Sequence, residues 1–307
     1  MILRAHWYRE YLLAILVACI LPKVSPASTL PDNCFPVLRK ISVSHEAAMH
    51  PRVIKLGGNE AEDPAFLARL AIKLGEQSER PVIVHGGGKS INKVLESMGV
   101  EPKYHPTLGQ RITDEVTMDV VEMVLGGPAN KRLVRALGAN GLDAQGLSGE
   151  DRGGLIKSEI LNPELGQVGK PISVNAEGIR DMTRLGVIPV IAPISMGPEG
   201  KPLNVNADWA ATAVAAGLGS KELTFLTNVP GVMLNGEVVP TMTVAEVRAA
   251  IASGEISGGM IPKVEAALNA LEAGVESVRI SNLDTFESGG TRFIKDPTDA
   301  TTYSSGR

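Results

Sequence analysis

Two lysines and two glycine turns carry most of the chemistry this sequence can offer. Lys55 stands in Val53-Ile54-Lys55-Leu56, an apolar run that reads as a buried strand. An ammonium group there is costly unless it reaches water or meets an anion. Lys55 therefore either snorkels to the surface or sits as a fixed cation beside a phosphate. Lys263 follows Gly258-Gly259-Met260-Ile261-Pro262, just where Val264, Ala267, Leu268 and Leu271 begin a helical period. A cation in the first turn of a helix opposes the macrodipole. Lys263 is either a plain exposed lysine or the holder of something negative. Asp208 closes Asn204-Val205-Asn206-Ala207-Asp208, which opens an Ala-rich helix over residues 208–218. An acid is favourable in a first turn. The same carboxylate can also hold lysines in place while they bind phosphate.

The glycines lie where ligands of open α/β sheets bind, beyond the carboxyl ends of strands. Gly57-Gly58 follows the Lys55 strand, and Gly86-Gly87-Gly88 follows the strand Pro81-Val82-Ile83-Val84. Glycine lets backbone N–H groups close on a phosphate, and the second turn runs straight into a helix. Neither turn matches a Walker loop or a clean dinucleotide fingerprint. One such turn is as readily tight-turn chemistry as an anion site. Two in successive βα units favour the anion site.

These residues need a frame, and the apolar pattern supplies one. Helices are expected over residues 64–75, 90–98, 113–125, 208–218 and 264–273. The third would be capped by Thr113, with Asp114 and Glu115 in its first turn. Strands are expected over 53–56, 81–84, 187–191, 223–226 and 275–280, the last being the final clear one. Strands alternating with helices imply right-handed βαβ units and a mainly parallel sheet with both faces covered.

Composition sets the outer bounds. The chain has 307 residues, 44% hydrophobic and 21% charged, as in a globular protein and unlike a disordered one. A net charge of -4 gives no reason to expect nucleic acid or an anionic membrane. Two cysteines rule out a disulfide scaffold and a four-cysteine zinc site. Both fall in residues 1–48, a leader with an apolar run at 12–21 that is too short to span a bilayer. The leader is either upstream of a true start at Met49, or a signal or transit segment, or a structural extension. Residues 296–307 read as a polar tail.

The ordered set of motifs resembles the amino-acid kinase superfamily and, within it, the acetylglutamate kinase family. It comprises Lys55-Leu56-Gly57-Gly58, Val84-His85-Gly86-Gly87-Gly88, Gly109-Gln110-Arg111-Ile112-Thr113-Asp114, Val121-Glu122-Met123-Val124-Leu125, Gly146-Leu147-Ser148-Gly149, Asn204 to Asp208, Asn228-Val229-Pro230-Gly231 and Gly258 to Lys263. The resemblance covers roughly residues 52–295. It implies an α/β protein, a three-layer α/β/α sandwich around a mainly parallel open sheet. The domain would span 49–295, with an acyl amino acid lobe over about 49–219 and a nucleotide lobe over about 220–295. The implied activity is ATP-dependent phosphorylation of the N-acetyl-L-glutamate side-chain carboxylate, a step of arginine biosynthesis. By motif, Lys55 and Lys263 would stabilise the transferring phosphoryl group and Asp208 would orient both. Gly87 and Gly88 would border the substrate, Arg111 would pair with its α-carboxylate, and Asn204 would hydrogen-bond its backbone. Gly57, Gly58, Thr227, Asn228, Gly231, Gly259 and Met260 would border the nucleotide. Mg2+ would be held mainly by the nucleotide phosphates, with no protein metal site. A cytoplasmic, arginine-insensitive homodimer is expected. Three positions depart from the family wording: Gln110, Asn228, and Ser281-Asn282. Asn228 resembles instead the kinases of the carrier-protein lysine route, which act on an aminoadipate-type substrate.

Overall fold

The computed structural model describes residues 50–296, so the leader at 1–48 and the tail beyond 296 lie outside the described residues. The strands in chain order are β1 (Val53–Leu56), β2 (Val82–His85), β3 (Ala144–Gly149), β4 (Ile156–Ile160), β5 (Val168–Val174), β6 (Ile188–Met196), β7 (Pro202–Val205), β8 (Glu222–Leu226), β9 (Met233–Leu234), β10 (Glu237–Val238), β11 (Thr241–Thr243), β12 (Ser277–Ser281) and β13 (Thr291–Ile294). The main helices are α1 (Gly58–Glu62), α2 (Pro64–Glu76), α3 (Gly88–Ser97), α4 (Glu115–Val121), α5 (Asn130–Ala139), α6 (Ala176–Arg184), α7 (Ala207–Leu218), α8 (Val244–Ala252) and α9 (Ile261–Glu272). Among the described residues no helix is long and apolar enough to cross a membrane.

β1 lies at the centre of the sheet, parallel to β2 on one edge and β8 on the other. Alternation along the strand sorts its side chains. Ile54 and Leu56 join Leu70 and Leu74 of α2 and Leu133 and Leu137 of α5. Val53 joins Val214 and Leu218 of α7 and Leu268 of α9 in a different cluster. Lys55, two residues after Val53, shares Val53's face. The period of the strand therefore aims it at α7.

The sheet runs β11-β13-β12-β8-β1-β2-β6-β4-β5-β7, and β3 also pairs with β6. Its centre, β12-β8-β1-β2-β6, is parallel as expected. Its far end departs from an open sheet. β6, β4, β5 and β7 pair in a closed ring. A register shift between Lys157 and Ser158 in β4 supplies an irregularity of the kind that bends strands.

The structure departs from the sequence expectations at two further places. The strand at 275–280 is not the last, because β13 returns antiparallel to β12 with Thr291 and Phe293 buried. The helix expected over 113–125 is not capped by Thr113. Asp114 is its N-cap, accepting from Thr117 N at 2.8 Å, and α4 ends at Val121. A widened π turn, Glu122–Ala129, follows, with Gly127 at a non-helical φ/ψ before Pro128. Proline and glycine break the 3.6-residue period there.

Candidate functional site

Lys55 meets α7 as its strand position dictates. Its Nζ lies 2.7 Å from Asp208 Oδ1, with the two side chains 18% and 33% exposed. Asp208 is in the first turn of α7, whose N-cap is Asn206; the Asn206 Oδ1 accepts from Asp208 N at 2.8 Å. The cap and the acid are thus separate residues. Lys263 is the third residue of α9 and its Nζ donates to Thr227 Oγ1 at 3.3 Å. Asp208 therefore pairs with Lys55, while Lys263 leans on a neutral hydroxyl. All three side chains border one cavity of about 470 Å³. Gly57, Gly58, Gly88, Thr227, Asn228 and Gly259 border it too.

The two glycine turns touch backbone to backbone. A Cβ on Gly58 would lie 3.3 Å from Gly87 N, and one on Gly86 would lie 3.3 Å from Gly58 N. A Cβ on Gly87 would lie 2.6 Å from Leu125 Cδ2. Side chains at these positions would crowd the contact, and the close approach gathers the amides of two turns beside the lysines. Part of the α3 N-terminus is already occupied: Glu62 Oε1 accepts from Ser90 N at 3.1 Å and from Ser90 Oγ at 2.5 Å. Behind the turn, His85 is fully buried. Burial pushes its pKa down to about 4, so the ring is neutral at pH 7. A neutral ring with Nδ1 against Gly86 O (3.0 Å) and Nε2 facing Asn130 Nδ2 (3.2 Å) carries its proton on Nδ1. His85 is a buried prop of the turn, outside the cavity's chemistry.

Arg111 lies beside this turn. Its Nη2 donates to Gly88 O at 3.2 Å and to the Tyr104 hydroxyl at 2.8 Å. Its Nη1 is buried without a partner, and burial lowers the guanidinium's pKa. Asn204 reaches the same neighbourhood through Thr113: its Nδ2 donates to Thr113 Oγ1 at 3.1 Å, and that hydroxyl donates to Arg111 O at 3.0 Å. Gly231 and Met260 do not border the lysine cavity. They line a smaller one of about 220 Å³ with Val229 and Val232.

Sequence reasoning passed over several residues of the site. Lys89 and Glu60 border the lysine cavity. Lys89 is a cation in the first turn of α3, the same signal that marked Lys263, and could have been found by it. Tyr104 and Thr113 act through a loop whose pairing has no sequence period.

The chain matches the model of the amino acid kinase family over residues 51–282. It is 50% identical over 244 residues to an acetylglutamate kinase of Roseiflexus sp. (strain RS-1), covering 79% of this chain and 92% of that one. It is 46% identical over 245 residues to an acetylglutamate kinase of Chloroflexus aurantiacus, covering 78% and 95%. Among solved structures, a Streptococcus mutans UA159 protein superposes with a TM-score of 0.68 at 33% identity, covering 80% of this chain and 98% of that one.

Proposed function

The chain belongs to the amino acid kinase family, and on that premise we propose that it transfers the γ-phosphoryl group of ATP to the side-chain carboxylate of N-acetyl-L-glutamate, the second step of arginine biosynthesis. One observation carries this reading: the Lys55–Asp208 pair shares a cavity with Lys263 and two abutting glycine turns.

The acceptor carboxylate is ionised at pH 7 and is already a nucleophile, so no general base is required. One of its oxygens bonds to the γ-phosphorus as the bond to the β–γ bridging oxygen breaks. ADP leaves with that electron pair, and the product is an acyl phosphate. Two anions must be brought together, so alignment and charge neutralisation do the catalysis. Lys55 and Lys263 meet the phosphoryl oxygens, and the glycine amides add donors. Asp208 holds Lys55. Arg111 offers the unpartnered Nη1 to the substrate α-carboxylate, a task suited to guanidinium. Asn204 bonds the substrate backbone and is held near Arg111 by Thr113. Mg2+ would be held mainly by the nucleotide phosphates and would neutralise part of their charge; Asp208 and Glu60 are carboxylates that border the cavity. The acyl amino acid lobe is about residues 49–219 and the nucleotide lobe about 220–295, in a three-layer sandwich. The chain works as a cytoplasmic homodimer.

A hydroxamate assay tests the reading, since hydroxylamine traps an acyl phosphate. With ATP, N-acetyl-L-glutamate should give hydroxamate at a kcat/KM at least tenfold above free glutamate and acetylated aminoadipate. The two N-acyl acceptors differ by one methylene, worth roughly 10–200-fold in a fitted pocket. Preference for the aminoadipate would move the assignment to the lysine-type substrate suggested by Asn228.

A further inference from the structure

We propose that Tyr104 is a positioning residue for the acyl amino acid, holding the Arg111 guanidinium so that its Nη1 edge faces the substrate carboxylate. The proposal rests on the reading of Arg111 given above.

Arg111 is 7% exposed, yet no ion pair with a carboxylate holds it among the described residues. Its Nη2 has two N–H groups, and both are spent, on Gly88 O and on the Tyr104 hydroxyl. The Nη1 group is left buried and unsatisfied. A buried donor without a partner is costly, and a charged one more so. An anionic ligand on that edge would remove the cost.

What fixes the edge is Tyr104. Its hydroxyl accepts from Arg111 Nη2 and donates to Asn92 Oδ1 at 3.0 Å, so its proton and one lone pair are both engaged. Its ring also lies 4.9 Å from the guanidinium carbon, within the range of a cation–π contact. Tyr104 and Arg111 face each other in a lone antiparallel bridge. Only the backbone bonds Ile112 N to Lys103 O (2.9 Å) and His105 N to Gln110 O (2.8 Å) flank it. So short a ribbon is marginal by itself. Two side-chain ties bring it to α3: Tyr104 to Asn92, and Arg111 to Gly88 at the helix start. Without the hydroxyl, one Nη2 hydrogen is released and the guanidinium can rotate about its stem.

Tyr104→Phe keeps the ring and removes only these bonds. Tyr104 is 47% exposed, so the variant should melt like the wild type. Its KM for N-acetyl-L-glutamate should rise roughly tenfold, the scale of one hydrogen bond to a charged group. Its kcat and its KM for ATP should stay within about twofold, since the nucleotide half of the site is untouched. Arg111→Gln should raise the same KM further, and the double variant should be no worse than Arg111→Gln alone. Asn92→Ala should move KM in the same direction as Tyr104→Phe, by less. If Arg111→Gln raises KM and Tyr104→Phe does not, the proposal is wrong and the reading of Arg111 stands. An unchanged KM in Arg111→Gln would overturn that reading itself. Additive effects in the double variant would mean that Tyr104 acts apart from Arg111. A matching rise in the ATP KM would mean general loosening of the fold. Either result would overturn the positioning role.

Discussion

Lys263→Ala should lower kcat by about 10²–10³-fold while leaving the protein as stable as before or slightly more so. The two effects have one cause. Lys263 stands in the first turn of α9, where no acid accompanies it. There it opposes the partial positive charge of the helix start, an interaction of roughly 0.3–1 kcal/mol at an exposed terminus. Removing it relieves that repulsion. The only partner of its Nζ among the described residues is the neutral Thr227 hydroxyl at 3.3 Å, so little folding energy is lost. The charge becomes favourable when phosphoryl oxygens gather negative charge in the transition state. Losing one preorganised donor at such a site costs about 2.7–4 kcal/mol. Steady-state kinetics and a thermal melt on the same sample check both halves. Near-normal turnover, or a melt lowered by many degrees, would contradict the assignment of Lys263 as a phosphoryl cation.

Asp208→Asn should lower kcat roughly 10²-fold without raising the KM for ATP. Two consequences of the change pull in opposite directions. Neutralising Asp208 makes the cavity more positive, which favours a polyanionic nucleotide. It also frees Lys55 Nζ from the oxygen that fixes it at 2.7 Å. A displacement of about 1 Å in a reacting constellation can cost about 10²-fold. Alignment outweighs binding in kcat, and charge outweighs alignment in KM, so the parameters should separate. Stability should change by no more than about 1 kcal/mol, because a partly exposed pair contributes little to folding. Initial rates over a range of ATP concentrations would show the split. A large rise in KM with kcat intact would mean that Asp208 serves binding alone.

Both predictions stand on residues legible in the sequence, for a physical reason. A lysine in an apolar strand and a lysine against a helix dipole are local conflicts, and conflicts of that kind concentrate at functional sites. The parallel centre of the sheet was legible too, since β1, β2, β6 and β8 are near-continuous apolar runs bounded by turns. β3, β4 and β5 were not. Their residues are largely polar or exposed, as in Ile156-Lys157-Ser158-Glu159-Ile160, and β5 holds a proline. Such strands owe their place to their pairing partners, which are near in sequence for β4 and β5 and more distant for β3 and β6. The ring that β4 and β5 close with β6 and β7 could not be inferred from apolar pattern. The π turn hid for the opposite reason: residues 113–125 keep a helical apolar period, and the break falls to Gly127 and Pro128 just beyond it. Tyr104 stands opposite Arg111 only because the intervening loop turns back on itself, with no alternation to announce it.

On the proposed mechanism, two ammonium groups embrace the phosphoryl group in flight. The most direct test is a crystal structure with ADP, Mg2+, aluminium fluoride and N-acetyl-L-glutamate, which together mimic that moment. The fluoride anion is expected in the cavity bounded by Gly58, Gly88 and Gly259, with Lys55 Nζ and Lys263 Nζ each about 3 Å from a fluorine. A fluoride anion bound away from that cavity, or one touched by neither lysine, would contradict it.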